Sequence, residues 1–140
     1  MAMAQKPQGG GDGVIGLCLM LAAGVNIVRL DLPDGRFGLR WVHSIEKVEW
    51  QEDWRADGTG LSLTEARIKG SGAGMEPPEG ARLRDGWYEW RPGVPPLPRL
   101  ILGRSDAVAD HILCIGGDCR PLWAYIAGTD PVTLEPCHAP

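Results

Sequence analysis

Apolar and polar residues alternate with a period of two along much of this chain, which is the pattern of half-buried β-strands. Phe37, Leu39 and Trp41 alternate with glycine and arginine, and residues 26–32 and 61–68 alternate in the same way. Shorter apolar or aromatic runs lie at 87–90, 99–103, 111–115 and 119–126. No segment has a sustained helical period. The pattern therefore predicts about eight short strands and little helix.

Residues 46–55 fit two structures. Trp50 and Trp54 are four residues apart, a spacing that places them together on a helix face or on one face of a strand. The segment has no clear N-cap, and only the short turn 56–60 separates it from the strand predicted at 61–68. We favour a β-hairpin over a helical turn.

Turn residues support this fold class. The chain has 140 residues, of which 20 are Gly and 12 are Pro, and motifs such as Pro33-Asp34-Gly35 separate the predicted strands. We expect one all-β domain, an antiparallel β-sandwich or an open barrel. Its predicted limits are residues 14–126, between a flexible tail at 1–13 and a C-terminal tail at 127–140.

The expected cellular compartment depends on how the one long apolar run, residues 14–28, is interpreted. It is short for a transmembrane helix and contains Gly16, Gly24 and Asn26. Lys6 is the only cation before it, which is poor flanking for a signal peptide. We interpret residues 16–21 as a buried strand and predict no transmembrane span. The cytoplasm is favoured, with a periplasmic or membrane-associated location as the alternative.

The net charge of the chain argues against one class of binding partner, nucleic acids. The net charge is −4, and no Lys- or Arg-rich run is present, so the sequence lacks the basic footprint that nucleic-acid backbones require. We expect no nucleic-acid partner.

The most reactive residue types lie in the run from Trp41 to Lys47. His43 and Ser44 are adjacent, so a strand would point their side chains to opposite faces and prevent His43 from activating Ser44. In a strand, Ser44 and Glu46 would share one face. This run is either a polar binding face or a polar spot at the rim of a sheet. Acidic residues follow it, but their spacing fits neither a calcium loop nor a zinc site, and we predict no metal and no cofactor.

Glycines 70, 72 and 74 suggest a phosphate-binding loop at first sight. The Lys-Ser/Thr of a P-loop is absent, and Pro77 and Pro78 prevent a helix from starting where a dinucleotide-binding motif needs one. The glycines predict either a bulge or close backbone crossing, or a small anion-binding nest.

The cysteines give a sharper geometric prediction. If Gly116-Gly117 forms a two-residue hairpin loop, Cys114 and Cys119 become directly opposed neighbours within reach of a disulfide. Whether they form a disulfide or a dithiol depends on the compartment. Cys18 and Cys137 have no such partner in this scheme and are expected to stay separate. The six Trp residues are expected mainly in the core.

Four segments carry a resemblance to a known family: WVHSIEKVEWQEDW, GSGAGMEPP, DGWYEW and LCIGGDCRPL. Over roughly residues 17–123, in order, the chain resembles the bacterial family domain of unknown function 1850. The resemblance implies no established activity. It implies a genomic neighbourhood beside tripartite TRAP transporters of the TAXI type, with a transporter component or its solute as partner. The recurrent elements of that family fall on candidate binding residues: His43, Ser44, Glu46, Gly72, Ala73, Gly74 and Met75.

These observations favour a small binding or accessory module linked to TRAP-dependent solute uptake, and not an enzyme. One alternative is a hydrolase or isomerase that uses His43 with a carboxylate such as Glu46 or Glu52. The other is a structural or interaction domain with a Trp-rich surface. We expect the His43 region and the 70–75 loop to form one surface.

Overall fold

The computed structural model describes residues 15–21, 27–42, 47–70 and 78–138. In these ranges the chain forms eleven strands: β1 (Ile15–Met20), β2 (Val28–Asp31), β3 (Arg36–Val42), β4 (Glu49–Asp57), β5 (Gly60–Lys69), β6 (Arg82–Arg84), β7 (Trp87–Trp90), β8 (Leu100–Leu102), β9 (Ile112–Ile115), β10 (Asp118–Pro121) and β11 (Val132–His138). They build a small sheet of order β2-β1-β11-β8 and a large sheet of order β10-β9-β3-β4-β5-β7-β6. Every strand pair is antiparallel. The predicted all-β class is confirmed, in the sandwich form and not as a closed barrel.

The core lies between the two sheets. β1 and β11 of the small sheet contribute Leu17, Leu19, Val132 and Leu134, all with fully buried side chains. The large sheet contributes buried residues that alternate with polar ones along β3, β4, β5 and β9: Phe37, Leu39, Trp54, Ala56, Leu61 and Leu113. The alternating apolar residues therefore face the core, and the polar residues between them face away from it.

Both predicted hairpins are present. β4 and β5 pair through a tight turn, with Asp57 opposite Gly60, so the part of 46–55 that lies in Glu49–Asp57 is a strand and not a helical turn. β9 and β10 are joined at Gly116 and Gly117, which both have positive φ, of 58° and 88°. These angles suit a type I′ turn, whose twist matches that of paired strands.

The expectation of a loose C-terminal tail from residue 127 is wrong. Residues 132–138 form β11, which lies between β1 and β8. β11 contains Pro136, which cannot donate a hydrogen bond within a sheet. β8 pairs only with residues 132–134 of β11, so Pro136 lies beyond its end and needs no partner on that side.

The same strand corrects the expectation for two cysteines. Cys137 is opposite Gly16, and Cys18 is opposite Glu135, which makes the two cysteines diagonal neighbours on one face. A disulfide joins Cys18 to Cys137. The prediction that they stay separate is wrong because β11 was not recognised as a strand.

Two further elements differ from the predicted pattern. β6 was not predicted, and its three exposed residues pair with β7 at the edge of the large sheet. The segment 119–126 is not one strand, because a 3-10 helical turn at Leu122–Ala124 follows β10. This turn lets Leu122 and Ile126 both enter the core. In the described ranges, no helix has the length and apolar character needed to cross a bilayer.

Candidate functional site

The large sheet has an inner face toward the core and an outer face that no other sheet of the described residues covers. A groove of about 580 Å³ crosses this outer face. We call it the outer groove. Its lining residues are Asp34, Arg36, Phe37, Gly38, Leu39, Arg40, Gln51, Glu52, Asp53, Trp54, Arg55, Thr64, Glu65, Arg67, Arg91, Cys114 and Gly116.

The floor of the outer groove is Gly38. It occupies an outward-facing position of β3, between Arg36 and Arg40, and is flanked by Asp53 on β4 and Cys114 on β9. A methyl group at this position would lie 3.5 Å from the Glu52 carbonyl oxygen and 3.6 Å from Cys114 Cβ, which are ordinary contacts. Backbone geometry therefore does not demand a glycine here. The consequence of glycine is open space above the middle of the sheet.

One wall is a hydrogen-bonded cluster around Arg67. Its Nη1 donates to Asp53 Oδ2 at 3.0 Å and its Nη2 donates to Asp53 Oδ1 at 3.1 Å. Nη1 also donates to Glu65 at 2.9 Å, and Nε donates to the Gln51 side-chain oxygen at 3.2 Å. The pKa of Arg67 is raised, chiefly by its hydrogen bond with Asp53. Both oxygens of Asp53 are therefore bonded to one well-held guanidinium group, which Glu65 shares.

The other arginines of the groove have a different environment. Arg36 on β3 lies directly opposite Arg55 on β4, and both side chains are exposed. Among the described residues, neither these two nor Arg40 and Arg91 have a carboxylate within 4.0 Å. Like charges directly across a strand pair destabilise a sheet. The fold therefore places cations at this end of the groove at a cost to its own stability.

The opposite wall contains a disulfide. Cys114 and Cys119 are directly opposed in the β9–β10 hairpin, the register that the Gly-Gly turn predicts. A disulfide joins them. Cys114 lines the outer groove beside Gly38, so this covalent link holds the wall of the groove in place.

The inner face near the other end of β4 carries an aromatic cluster. Trp41 and Trp50 stack with ring centroids 5.8 Å apart, and Trp90 meets Trp50 edge-on at 6.0 Å. His111 lies against Trp41 at 5.6 Å, and burial lowers its pKa while Asp110 opposes that shift. The Trp50 indole nitrogen is buried without a hydrogen-bond partner among the described residues. Trp123 differs from the rest, because 62% of it is exposed.

Glu52 is the one carboxylate on this inner face of β4. Its Oε1 accepts a hydrogen bond of 2.9 Å from Trp54 Nε1. Burial raises the pKa of the Glu52 carboxyl, and the Trp54 hydrogen bond opposes that rise. In the described ranges, no group of three or more His, Cys, Asp or Glu side chains could hold a metal ion.

The candidate binding residues predicted from the sequence lie outside the described residues: His43, Ser44, Glu46, Gly72, Ala73, Gly74 and Met75. The strands that flank them are described. Val42 pairs with Glu49, Trp50 pairs with Ile68, and Lys69 pairs with Trp87. The chain thus leaves the large sheet at the same end before both segments. Their predicted meeting in one functional surface stays a prediction.

Sequence analysis missed the outer groove. Its signal is the run Arg36-Phe37-Gly38-Leu39-Arg40, in which the polar face of a strand reads arginine, glycine, arginine. Alternation alone assigns those residues to solvent. Only the pairing register places Arg55 opposite Arg36. It is this register that shows the arginines surrounding the open space above Gly38.

Comparison with known proteins places the chain in a family. No curated protein and no solved structure matches it. A family model matches residues 37–122, which is more than half of the chain and includes the groove floor, Arg40, Arg55, Arg67 and Arg91. The resemblance expected from the sequence is confirmed, and the chain belongs to the family described as Domain of unknown function (DUF1850).

Proposed function

We propose that this domain is a binding module whose outer groove takes a small solute with an acidic group. The observation that carries the proposal is the Arg36–Arg55 pair, two exposed cations placed opposite each other with no carboxylate within 4.0 Å among the described residues. An acidic ligand would replace repulsion by paired, charge-assisted hydrogen bonds.

The rest of the groove supports this choice of ligand. The lining contains five arginines and four carboxylates. Two of those carboxylates, Asp53 and Glu65, are bonded to Arg67, and a third, Glu52, points its side chain to the inner face. The fourth carboxylate, Asp34, is exposed. The lining as a whole therefore has one more arginine than carboxylates.

Calorimetric titration of the purified protein with inorganic phosphate and with acetate tests this function. We expect binding that falls by about tenfold or more in the variant Arg36→Gln/Arg55→Gln, which corresponds to about 1.4 kcal/mol. The matched control is Arg82→Gln, an exposed arginine of the same sheet that does not line the outer groove. Equal binding by both variants, or no binding of any small anion by the native protein, would overturn the proposal.

A finer proposal concerns the biological role. We propose that the bound solute is one taken up by a TRAP transporter, which the domain serves as an accessory protein. The support is the family membership, because the resemblance to this family implies a genomic neighbourhood beside TAXI-type TRAP transporters. The proposal adds no catalytic step.

Growth of the host on single organic acids tests that role. A strain without the gene should lose growth on a subset of acids, and the native gene should restore it. The groove variant Arg36→Gln/Arg55→Gln should fail to restore growth, whereas Arg82→Gln should succeed. If both variants restored growth, the outer groove would not be needed for uptake.

A further inference from the structure

We infer that the ligand of the outer groove carries two acidic groups, one held by Arg36 and Arg55 and the other by Arg40. This inference rests on the proposed function and names its ligand class. The groove has arginines at two ends, and a ligand with two acidic groups can satisfy both.

The first end is the Arg36–Arg55 pair. Because the two residues are direct partners across β3 and β4, their side chains leave the sheet side by side on the same face. Two neighbouring guanidinium groups offer a fork of donors that matches the oxygens of a carboxylate or phosphate.

The second end is Arg40. It shares the outer face with Arg36 and is paired with Gln51 on β4 and Ile112 on β9. Gln51 uses its side-chain oxygen for Arg67 and its amide for Glu49, at 3.2 and 3.1 Å, so it does not occupy Arg40. Arg40 is four residues from Arg36, which places their Cα atoms about 13 Å apart. This spacing suits two separate acidic groups, one at each end.

The middle of the groove suits the body of such a ligand. Gly38 lies halfway between the two ends and has no side chain, so a chain of a few atoms can cross it. On one side this chain meets Cys114 and its disulfide, and on the other side it meets Asp53. Asp53 would repel an anion, but Arg67 binds both of its oxygens. Arg67 also bonds to Glu65, so this side of the crossing holds two carboxylates and one guanidinium group between the two positive ends.

Occupation of both ends makes a measurable difference. Once one acidic group is bound, the second is held near Arg40 at a high effective concentration, so its contact adds affinity without a second loss of translational freedom. A ligand of matching length should therefore bind much more tightly than a ligand with one acidic group.

The experiment is a calorimetric series of unbranched dicarboxylates of increasing chain length, each compared with the monocarboxylate of the same length. Inorganic phosphate and pyrophosphate form a second arm, which distinguishes a dicarboxylate ligand from a phosphate one. We expect one chain length to bind about tenfold or more tightly than its monocarboxylate. The variant Arg40→Gln should remove that advantage. The control Arg82→Gln should preserve both.

The outcomes separate the two proposals. If monocarboxylates and dicarboxylates bind equally, or if Arg40→Gln keeps the dicarboxylate advantage, the two-ended ligand is wrong while the anion-binding function stands. If no anion of either arm binds, both fall. A melting temperature of Arg40→Gln close to that of the native protein ensures that lost affinity does not reflect unfolding.

Discussion

The two faces of the large sheet are built by alternate residues of the same strands, yet their chemistry differs. The inner face is mainly apolar and buried, and the outer face carries arginines. On the inner face, Phe37, Leu39 and Trp54 are almost fully buried against the small sheet. On the outer face, the residues between them are arginines around a glycine. The inner face stabilises the fold by burial, whereas the outer face tolerates the repulsion between Arg36 and Arg55. Residues that cost stability without structural need are candidates for function.

Truncation on the inner face should have the largest effect on stability. Trp54 is 4% exposed, stacks near Phe37 and donates a hydrogen bond to Glu52. Trp54→Ala should lower the free energy of unfolding by about 3–5 kcal/mol. The outer-face variant Arg36→Ala should change it by about 0.5 kcal/mol or less. Urea unfolding of both variants measures the contrast, and similar losses would mean that the outer face is structural as well.

The two disulfides should also differ in how much they stabilise the folded protein. Cys18–Cys137 links residues 119 positions apart in the small sheet, whereas Cys114–Cys119 links residues five apart at the groove wall. In the chain-entropy account, Cys18→Ser/Cys137→Ser should cost about 5 kcal/mol and Cys114→Ser/Cys119→Ser about 2 kcal/mol. Thermal unfolding of the two double variants compares them. A larger loss of stability in Cys114→Ser/Cys119→Ser would contradict the expectation that Cys18–Cys137 contributes more to the stability of the fold.

The disulfides also offer a test of location. The sequence favours the cytoplasm, and that expectation stays a prediction. Thiols in a bacterial cytoplasm are normally kept reduced, while the periplasm is oxidising. Alkylation of the protein in intact host cells, followed by mass mapping, reads out the state of all four cysteines. Alkylated cysteines would support the cytoplasm, and two protected pairs would favour the periplasmic alternative.

The effect of Glu52 should be smaller and should depend on pH. Its pKa is raised in the folded protein, so the folded state holds this proton more firmly than the unfolded state does. Its contribution to stability is therefore present below the unfolded pKa and is lost as pH rises through the folded pKa. Glu52→Gln keeps an acceptor for Trp54 and removes the buried charge.

We expect Glu52→Gln to gain about 1 kcal/mol or less at pH 7 relative to its effect at pH 4, because the group is only partly buried. Urea unfolding at the two pH values measures this difference. Glu79→Gln, in an exposed turn, is the control and should show no such gain. A variant that is less stable at pH 7 than at pH 4, relative to native, would reverse the assigned sign.

The sequence predicts the sandwich well where alternation and turn chemistry agree. Gly116-Gly117 defines its hairpin and thereby the pairing of Cys114 with Cys119. It fails where a strand depends on distant partners, as β11 does, since Pro136 is acceptable only because β8 ends earlier. The outer groove is hidden for the same reason. Nothing local indicates that Arg55 will lie opposite Arg36, because the strand register that aligns them is a property of the folded sheet.

The most direct test of the account is an amide and indole proton–nitrogen NMR titration with the best-binding dicarboxylate. Binding in the outer groove should shift the Gly38 amide and the side-chain signals of Arg36 and Arg40. The indole signals of Trp41 and Trp50 on the inner face should stay in place. Shifts confined to those indoles, with Gly38 unmoved, would place the ligand on the wrong face and contradict the central claim.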